Sequence, residues 1–213
     1  MKYLKYYKLF ESMRPIIKRK NEEEIHSICK KYRIGMYTGR EGVRKYTINS
    51  DGSIDVDGDV DLCDKGLTKL PLKFNNVSGN FYCSNNQLMS LSGAPQTVAG
   101  GFYCYNNNLT SLEGAPQTVG GYFTCTNNKL TSLDGLEFKS FKFVNLENNP
   151  IDELVKYWIN SENREELIEY FVDMNIIQDN KIIMMRLEAF YEDMGLEMNI
   201  DFDEVKKYYE IIN

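Results

Sequence analysis

The middle of the chain repeats every 21 residues, and this period constrains the fold more than any other feature. The segments "FYCSNNQL", "FYCYNNNL" and "FTCTNNKL" carry Cys83, Cys104 and Cys125 at that interval. Extending the interval in both directions reaches Leu62 and Leu146, so five units share one register. A fixed period of this length is typical of a solenoid, in which each unit packs only against its neighbours.

Each unit also repeats three other apolar positions. They are Val60, Phe81, Phe102, Phe123 and Val144; Leu67, Leu88, Leu109, Leu130 and Ile151; and Leu70, Leu91, Leu112, Leu133 and Leu154. The pattern Phe-x-Cys predicts a short parallel strand whose phenylalanine and cysteine both point into the core. A buried thiol acts there as a small apolar group. The alternative is a metal or redox role for the cysteines, although no histidine accompanies them.

The repeat resembles the leucine-rich-repeat family, whose signature is L-x-L-x-x-N-x-L. The matching asparagines are Asn86, Asn107, Asn128 and Asn149, and Lys65 replaces the asparagine in the first unit. The resemblance implies that these asparagines bond backbone groups of the turns in a buried ladder. It also implies that the exposed face of the sheet binds proteins. With "KYYKLFE", "GSIDVDGDVDL" and "EVKKYYEII", the whole chain is similar to small leucine-rich-repeat proteins of tailed bacteriophages, which implies a phage origin.

Glycine and proline recur at fixed positions in the connections between the strands. Segments such as "SLEGAPQTVGG" place Gly93, Gly114 and Gly135 at predicted turns. Pro95 and Pro116 exclude a continuing helix at their positions. The side of the solenoid opposite the cysteine strands is therefore predicted to consist of extended segments.

The segment "KYTINSDGSIDVDGDVDLC" predicts a β-hairpin that turns at Asp51-Gly52. Its second strand, in which Ile54, Val56, Val60 and Leu62 alternate with aspartates, is expected to cap the open end of the sheet. A calcium loop is the alternative explanation of these aspartates, but the terminal glutamate of such a loop is missing.

Helical spacing of apolar residues predicts helices at both ends of the chain. We expect helices over 2–14 and from Pro15 to about Tyr32, and further helices over 152–160, 163–174, 180–194 and 202–212. The C-terminal helices are predicted to cap the last repeat, with a separate effector role as the alternative. The prediction is thus an α+β fold with three parts: a basic N-terminal helical segment (1–44), the hairpin cap and five-unit solenoid (45–155), and a C-terminal helical cap (156–213).

Charge is distributed unevenly along the chain. The net charge is −6, yet residues 1–47 contain 13 basic and 5 acidic side chains. This asymmetry favours attraction between two parts of the molecule, and nucleic-acid binding by the basic N-terminal helices is the alternative. The five cysteines form no C-x-x-C pair, and no run of 18 apolar residues occurs. We therefore expect no disulfide framework, no membrane span and a cytoplasmic location, in the host bacterium if the chain is phage-encoded.

The strand residues that point away from the core vary between units and include several aromatic rings. The predicted protein-binding residues are Asp59, Asp61, Asn80, Tyr82, Tyr103, Tyr105, Tyr122, Thr124, Phe143 and Asn145. Tyrosine is enriched in interfaces, and exposed tyrosines that merely suit a sheet are the alternative. The prediction is a non-catalytic module that binds a host or phage protein. No cofactor, metal or catalytic role is predicted, because no nucleophile–base pair, phosphate loop or metal-ligand spacing occurs.

Overall fold

The computed structural model describes residues 21–35, 45–136 and 141–213. The helix predicted over 2–14 and the helix start predicted at Pro15 lie outside these residues. The chain forms an α+β fold in which a parallel β-solenoid lies between flanking segments that contain helices.

The N-terminal part consists of a helix and a hairpin. Helix α1 occupies residues 21–32, and it buries Ile25 and Cys29 in the core. Strands β1 (Tyr46–Ile48) and β2 (Ile54–Val56) pair antiparallel, with a turn over residues 49–53. The Oδ1 atom of Asp51 accepts hydrogen bonds from the backbone and hydroxyl of Ser53, so the hairpin predicted at Asp51-Gly52 is confirmed.

The solenoid itself is built from nine short strands, β2 and eight that follow it. The eight are β3 (Val60–Asp61), β4 (Phe74–Val77), β5 (Phe81–Tyr82), β6 (Thr97–Val98), β7 (Phe102–Tyr103), β8 (Thr118–Val119), β9 (Tyr122–Thr124) and β10 (Phe143–Asn145). The first sheet has the order β10-β9-β7-β5-β3, and all its pairs are parallel. Phe81 pairs with Phe102, which pairs with Phe123, so the predicted register of 21 residues is confirmed.

A second sheet covers the opposite side of the solenoid. Strands β2, β4, β6 and β8 are parallel neighbours in it, and β1 forms its outer edge. The predicted extended segments are thus confirmed and are short strands, while Gly93, Gly114 and Gly135 adopt φ values of 81–91° at the turns. Four turns contribute a strand to each sheet, and β10 extends the first sheet by one further strand.

The prediction of one uninterrupted strand from Ile54 to Leu62 is wrong in one respect. The chain turns at Gly58, with φ of 109°, so that β2 joins the second sheet and β3 joins the first. The two strands therefore cap different sheets. Val56 and Val60 are four residues apart, so the alternation of buried and exposed side chains stays in phase through the corner and conceals it.

The core lies between the two sheets. Stacked rings of Phe81, Phe102 and Phe123 run through it, with centroids 5.4 and 5.5 Å apart. The cysteines predicted to point inward, Cys83, Cys104 and Cys125, are fully buried beside the rings. Because each unit places the same side chain on its neighbour, the interior consists of continuous ladders along the solenoid.

The C-terminal part mixes helices and strands, whereas helices alone were predicted. Its elements are α2 (Asp152–Val155), α3 (Arg164–Asp173), β11 (Ile177–Gln178), β12 (Lys181–Ile183), α4 (Met184–Asp193), α5 (Phe202–Val205) and β13 (Glu210–Ile212). The prediction over 180–194 is wrong at its start, because Asp179 and Asn180, at φ of 48° and 59°, form a turn between β11 and β12. The helix predicted over 202–212 ends at Val205, since the β-branched residues Ile211 and Ile212 pair in parallel with β12.

This C-terminal part packs on the last units of the solenoid. The amide group of Asn160 donates to the carbonyl of Val144 and accepts from its N–H, both at 2.8 Å. The hydroxyl of Tyr209 donates to the carbonyl of Thr131 at 3.0 Å. Trp158 is buried and its ring lies 5.4 Å from that of Phe171. These contacts place the block where a cap was predicted.

Candidate binding face of the first sheet

The buried asparagines hold each strand of the first sheet at a fixed position. The Nδ2 atom of Asn107 donates to the carbonyls of Cys83 and Cys104 at 3.0 and 3.1 Å, and its Oδ1 accepts from the N–H of Leu88. Asn128 and Asn149 make the equivalent bonds one and two units further on. The ladder implied by the resemblance is confirmed, and it gives the opposite face a rigid support.

The asparagine before each ladder residue has a second role that the sequence analysis missed. Asn85, Asn106, Asn127 and Asn148 all have left-handed backbone conformations, with φ of 53–59°. Asparagine tolerates this region better than most residues, and the conformation turns the chain out of the strand. The doubled "NN" of the repeat therefore combines a turn residue with a buried hydrogen-bonding residue.

Alternation along the strands gives three columns of outward positions on the first sheet, one residue from each unit in each column. The first column is Asp59, Asn80, Gly101, Tyr122 and Phe143; the second is Asp61, Tyr82, Tyr103, Thr124 and Asn145; the third is Cys63, Ser84, Tyr105, Thr126 and Glu147. Of the ten predicted residues, Asp59, Asp61, Tyr122 and Phe143 are exposed and the other six are half-buried. All ten lie on this outward face.

Two aromatic pairs dominate the face and differ in height. Tyr82 and Tyr103, here called the flat pair, stack with centroids 4.9 Å apart and planes 10° apart. Tyr122 and Phe143, here called the raised pair, meet edge to face at 6.1 Å and are 54% and 41% exposed. The aromatic surface therefore rises from the middle of the sheet toward β10.

Gly101 explains why the flat pair lies low. A Cβ atom at Gly101 would stand 2.6 Å from the hydroxyl oxygen of Tyr103 and 2.7–2.8 Å from two of its ring carbons. The ring of Tyr103 thus lies directly over the backbone of Gly101, which is buried beneath it. The sequence showed Gly101 only as a variable position, and the contact with a residue two positions away could not be seen from spacing.

The polar members of the predicted site are held by backbone groups. Asp59 Oδ1 accepts from the N–H of Asn80 at 2.6 Å, and Asn80 Oδ1 accepts from the N–H of Gly101 at 2.7 Å. Asp61 Oδ1 accepts from the N–H of Cys63. These bonds orient the side chains before any partner arrives.

Negative charge is concentrated at the β3 end of the face. Burial raises the pKa of Tyr82, and the nearby charges of Asp59 and Asp61 raise it further, so this phenol stays protonated at neutral pH. Within the part of the chain that the structure describes, neither aspartate forms an ion pair with a lysine or arginine. A cation of a partner would therefore meet uncompensated carboxylates.

Ser84 departs from the pattern of its column. It follows Tyr82 and Cys83 in the chain and belongs to the outward third column, yet it is fully buried. Its Oγ atom has no hydrogen-bond partner among the described residues. A buried hydroxyl without a partner costs about 1–3 kcal/mol. The carbonyl of Ser84 accepts from the N–H of Asp64, so this unmet hydrogen-bonding capacity lies beside the residues that follow β3.

The inward cysteines have the chemistry of core residues. Burial raises the pKa of Cys83 and Cys104 well above the ordinary thiol value. Neutral thiols of this kind are poor nucleophiles and poor metal ligands. Over residues 21–35, 45–136 and 141–213, no three His, Cys, Asp or Glu side chains are grouped so that they could hold a metal ion.

Comparison of the chain with protein-family models, curated proteins and solved structures gave no match. None of the helices in the described ranges is both long and apolar enough to cross a membrane. The geometry of the outward face is therefore the basis for the functional proposal.

Proposed function

We propose that this chain is a non-catalytic protein-binding module that acts through the outward face of the first sheet. We further propose that it is a leucine-rich-repeat protein of tailed bacteriophages and binds a host or phage protein in the bacterial cytoplasm. The observation that carries the binding proposal is the pair of adjoining aromatic clusters on a rigid sheet. The resemblance of the 21-residue units to leucine-rich repeats supports the family proposal.

The aromatic pairs suit binding because they are ordered in advance. Tyrosine and phenylalanine offer large contact areas and have only two side-chain torsions to fix. Stacking already restrains Tyr82 and Tyr103, and the asparagine ladder restrains the strands beneath them. A partner that docks here therefore pays little conformational entropy for ordering this surface.

The test starts from a partner recovered by affinity purification from infected bacteria and then purified on its own. We expect Tyr122→Ala and Phe143→Ala each to weaken its binding by about tenfold or more, as interface aromatic residues commonly do. Tyr157→Ala is the matched control, because Tyr157 is 59% exposed but lies outside the three columns. Circular-dichroism melting curves establish that all three variants are folded.

Unchanged affinity of both face variants, or an equal loss in Tyr157→Ala, would contradict the assignment of the face. Nucleic-acid binding by the basic N-terminal residues stays a prediction, because most of those residues lie outside the described ranges. A gel-shift titration at low and high salt tests it, since phosphate contacts lose affinity steeply as salt rises.

A further inference from the structure

We propose that the β3 end of the outward face is a receptor for a cationic side chain, and that the partner segment pairs this cation with an apolar residue about 14 Å away. This inference rests on the proposed function and specifies the chemistry of the partner. The receptor, here called the acidic corner, consists of Asp59, Asp61 and the face of the Tyr82 ring that is turned toward β3.

Among the residues that the structure describes, the stacking of the flat pair leaves one face of Tyr82 without an aromatic neighbour. Tyr103 covers the face toward β7, and the opposite face points toward β3, where Asp61 occupies the register position of Tyr82. The short side chain of Asp61 does not continue the ring stack. A cation above Asp61 would contact both a carboxylate and the face of a phenol ring, and such a combination favours a guanidinium over other groups.

The two carboxylates are fixed in a suitable orientation. Each uses Oδ1 to accept a backbone N–H, Asp59 from Asn80 and Asp61 from Cys63. Asp61 is the register partner of Tyr82 on the neighbouring strand, and Asp59 lies two residues before Asp61, so all three groups share one end of the face. The remaining oxygens form no ion pair within the described ranges, so the corner attracts positive charge.

Ser84 provides unmet hydrogen-bonding capacity next to the corner. Its carbonyl accepts from the N–H of Asp64, which places Ser84 beside the residues that follow β3. Its hydroxyl is buried and lacks a partner among the described atoms. A guanidinium carries five N–H donors, so it can serve both carboxylates and a further acceptor that becomes accessible when the surrounding side chains move.

The raised pair specifies the other end of the partner segment. Asp59 and Tyr122 belong to the same column and are separated by three strand spacings, which amount to about 14 Å at about 4.8 Å each. Between them lies the low surface of Tyr103 over Gly101. An extended chain covers about 14 Å in four residues, so the expected arrangement is arginine at one position and an aromatic or aliphatic residue four positions away.

The experiment uses synthetic peptides and the full chain labelled with ¹⁵N. The probe is Arg-Ser-Thr-Ser-Phe with blocked ends; the comparison peptides are Glu-Ser-Thr-Ser-Phe and Arg-Phe-Ser-Thr-Ser. We expect the probe to shift the amide signals of both Asp61 and Tyr122. The Glu peptide should leave Asp61 unshifted, and the rearranged peptide should bind about tenfold more weakly because it reaches one end only.

Variants that preserve the hydrogen bonds of the corner provide the second arm. The double variant Asp59→Asn, Asp61→Asn keeps both Oδ1 acceptors and removes the charge, and we expect it to weaken the probe about tenfold. Asp173→Asn, which removes an exposed carboxylate outside the face, is the control and should leave affinity unchanged. Raising the salt concentration should weaken the probe with the native chain but not with the double variant.

The outcomes separate this inference from the proposed function. Equal binding of the Arg and Glu peptides, or unchanged affinity of the double aspartate variant, overturns the acidic corner. Absence of any shift at about 5 mM probe, which exceeds the dissociation constant of about 1 mM expected for a weak ligand, overturns it as well. If Tyr122→Ala still abolishes binding of the purified partner while the aspartate variant does not weaken it, the face survives as a binding site and the corner does not.

Discussion

The same strands of the first sheet follow different rules on their two faces. Inward, Phe81, Phe102 and Phe123 repeat without change and stack at 5.4 and 5.5 Å. Outward, the first column changes at every step, from aspartate through asparagine and glycine to tyrosine and phenylalanine. This difference shows that stacking in a narrow core makes each residue depend on its neighbours, whereas the outward positions are free to differ from one unit to the next.

The largest effect on stability is expected from breaking the inward phenylalanine ladder. Phe102→Ala removes a fully buried ring and two stacking contacts, so the free energy of unfolding should fall by about 3–5 kcal/mol. Urea unfolding followed by circular dichroism measures the change. A loss below about 1 kcal/mol, the range of surface substitutions, would erase the contrast between the faces.

The asparagine ladder should come second. Asn107→Ala leaves the buried N–H of Leu88 without its acceptor and removes one of the two amide donors at the carbonyls of Cys83 and Cys104, which we expect to cost about 2–3 kcal/mol. Asn108→Ala is the matched control, because its side chain makes no hydrogen bond among those described and only its backbone N–H bonds Leu88. Similar unfolding midpoints for the two variants would show that the ladder contributes nothing specific.

The cysteine positions should show a smaller effect of the same sign. Cys104→Ser introduces a hydroxyl among buried apolar groups and should destabilise by about 1–3 kcal/mol, while Cys104→Ala tests the loss of volume alone. Cys63→Ser is the outward counterpart, since Cys63 is only partly buried. If serine is tolerated equally at both positions, the inward thiols are not acting as small apolar residues.

The smallest effect on stability belongs to the outward face. Tyr122→Ala should change the free energy of unfolding by no more than about 0.5 kcal/mol, because the side chain is 54% exposed. The same variant should lose binding of the partner. Substitutions on the inward face should therefore lower stability, whereas substitutions on the outward face should lower affinity. A strong destabilisation would mean that the raised pair is part of the fold and not a surface kept for a ligand.

The inward face could be predicted well because its signal is periodic. Spacing alone placed Cys83, Cys104 and Cys125 in the core, and the resemblance assigned the buried role of Asn107. The corner at Gly58 could not be predicted, because the alternation of buried and exposed residues continues through it in phase. In the C-terminal part, Ile211 and Ile212 fit a helical spacing equally well, and only their pairing with β12 made them a strand.

The sequence predicts which side of the sheet carries the candidate site, but it does not predict how far each ring projects from that side. Alternation along each strand was enough to place Tyr103 and Tyr122 on the same side. Their difference in height depends on Gly101, whose missing side chain admits the Tyr103 ring. The hydrogen bonds that the side chains of Asp59 and Asn80 accept could not be predicted either. Each joins residues that are 21 positions apart in the sequence and adjacent only in the folded chain.

The side-chain amide of Asn160 affects whether another strand can pair with β10. A parallel sheet whose last strand shows open N–H and C=O groups is a template to which another chain can add. Asn160 imitates the next strand at Val144 by supplying one donor and one acceptor in its place. The side chain thus occupies the place at which a further strand would pair with Val144, and a variant without this amide would leave those two backbone groups open to another chain.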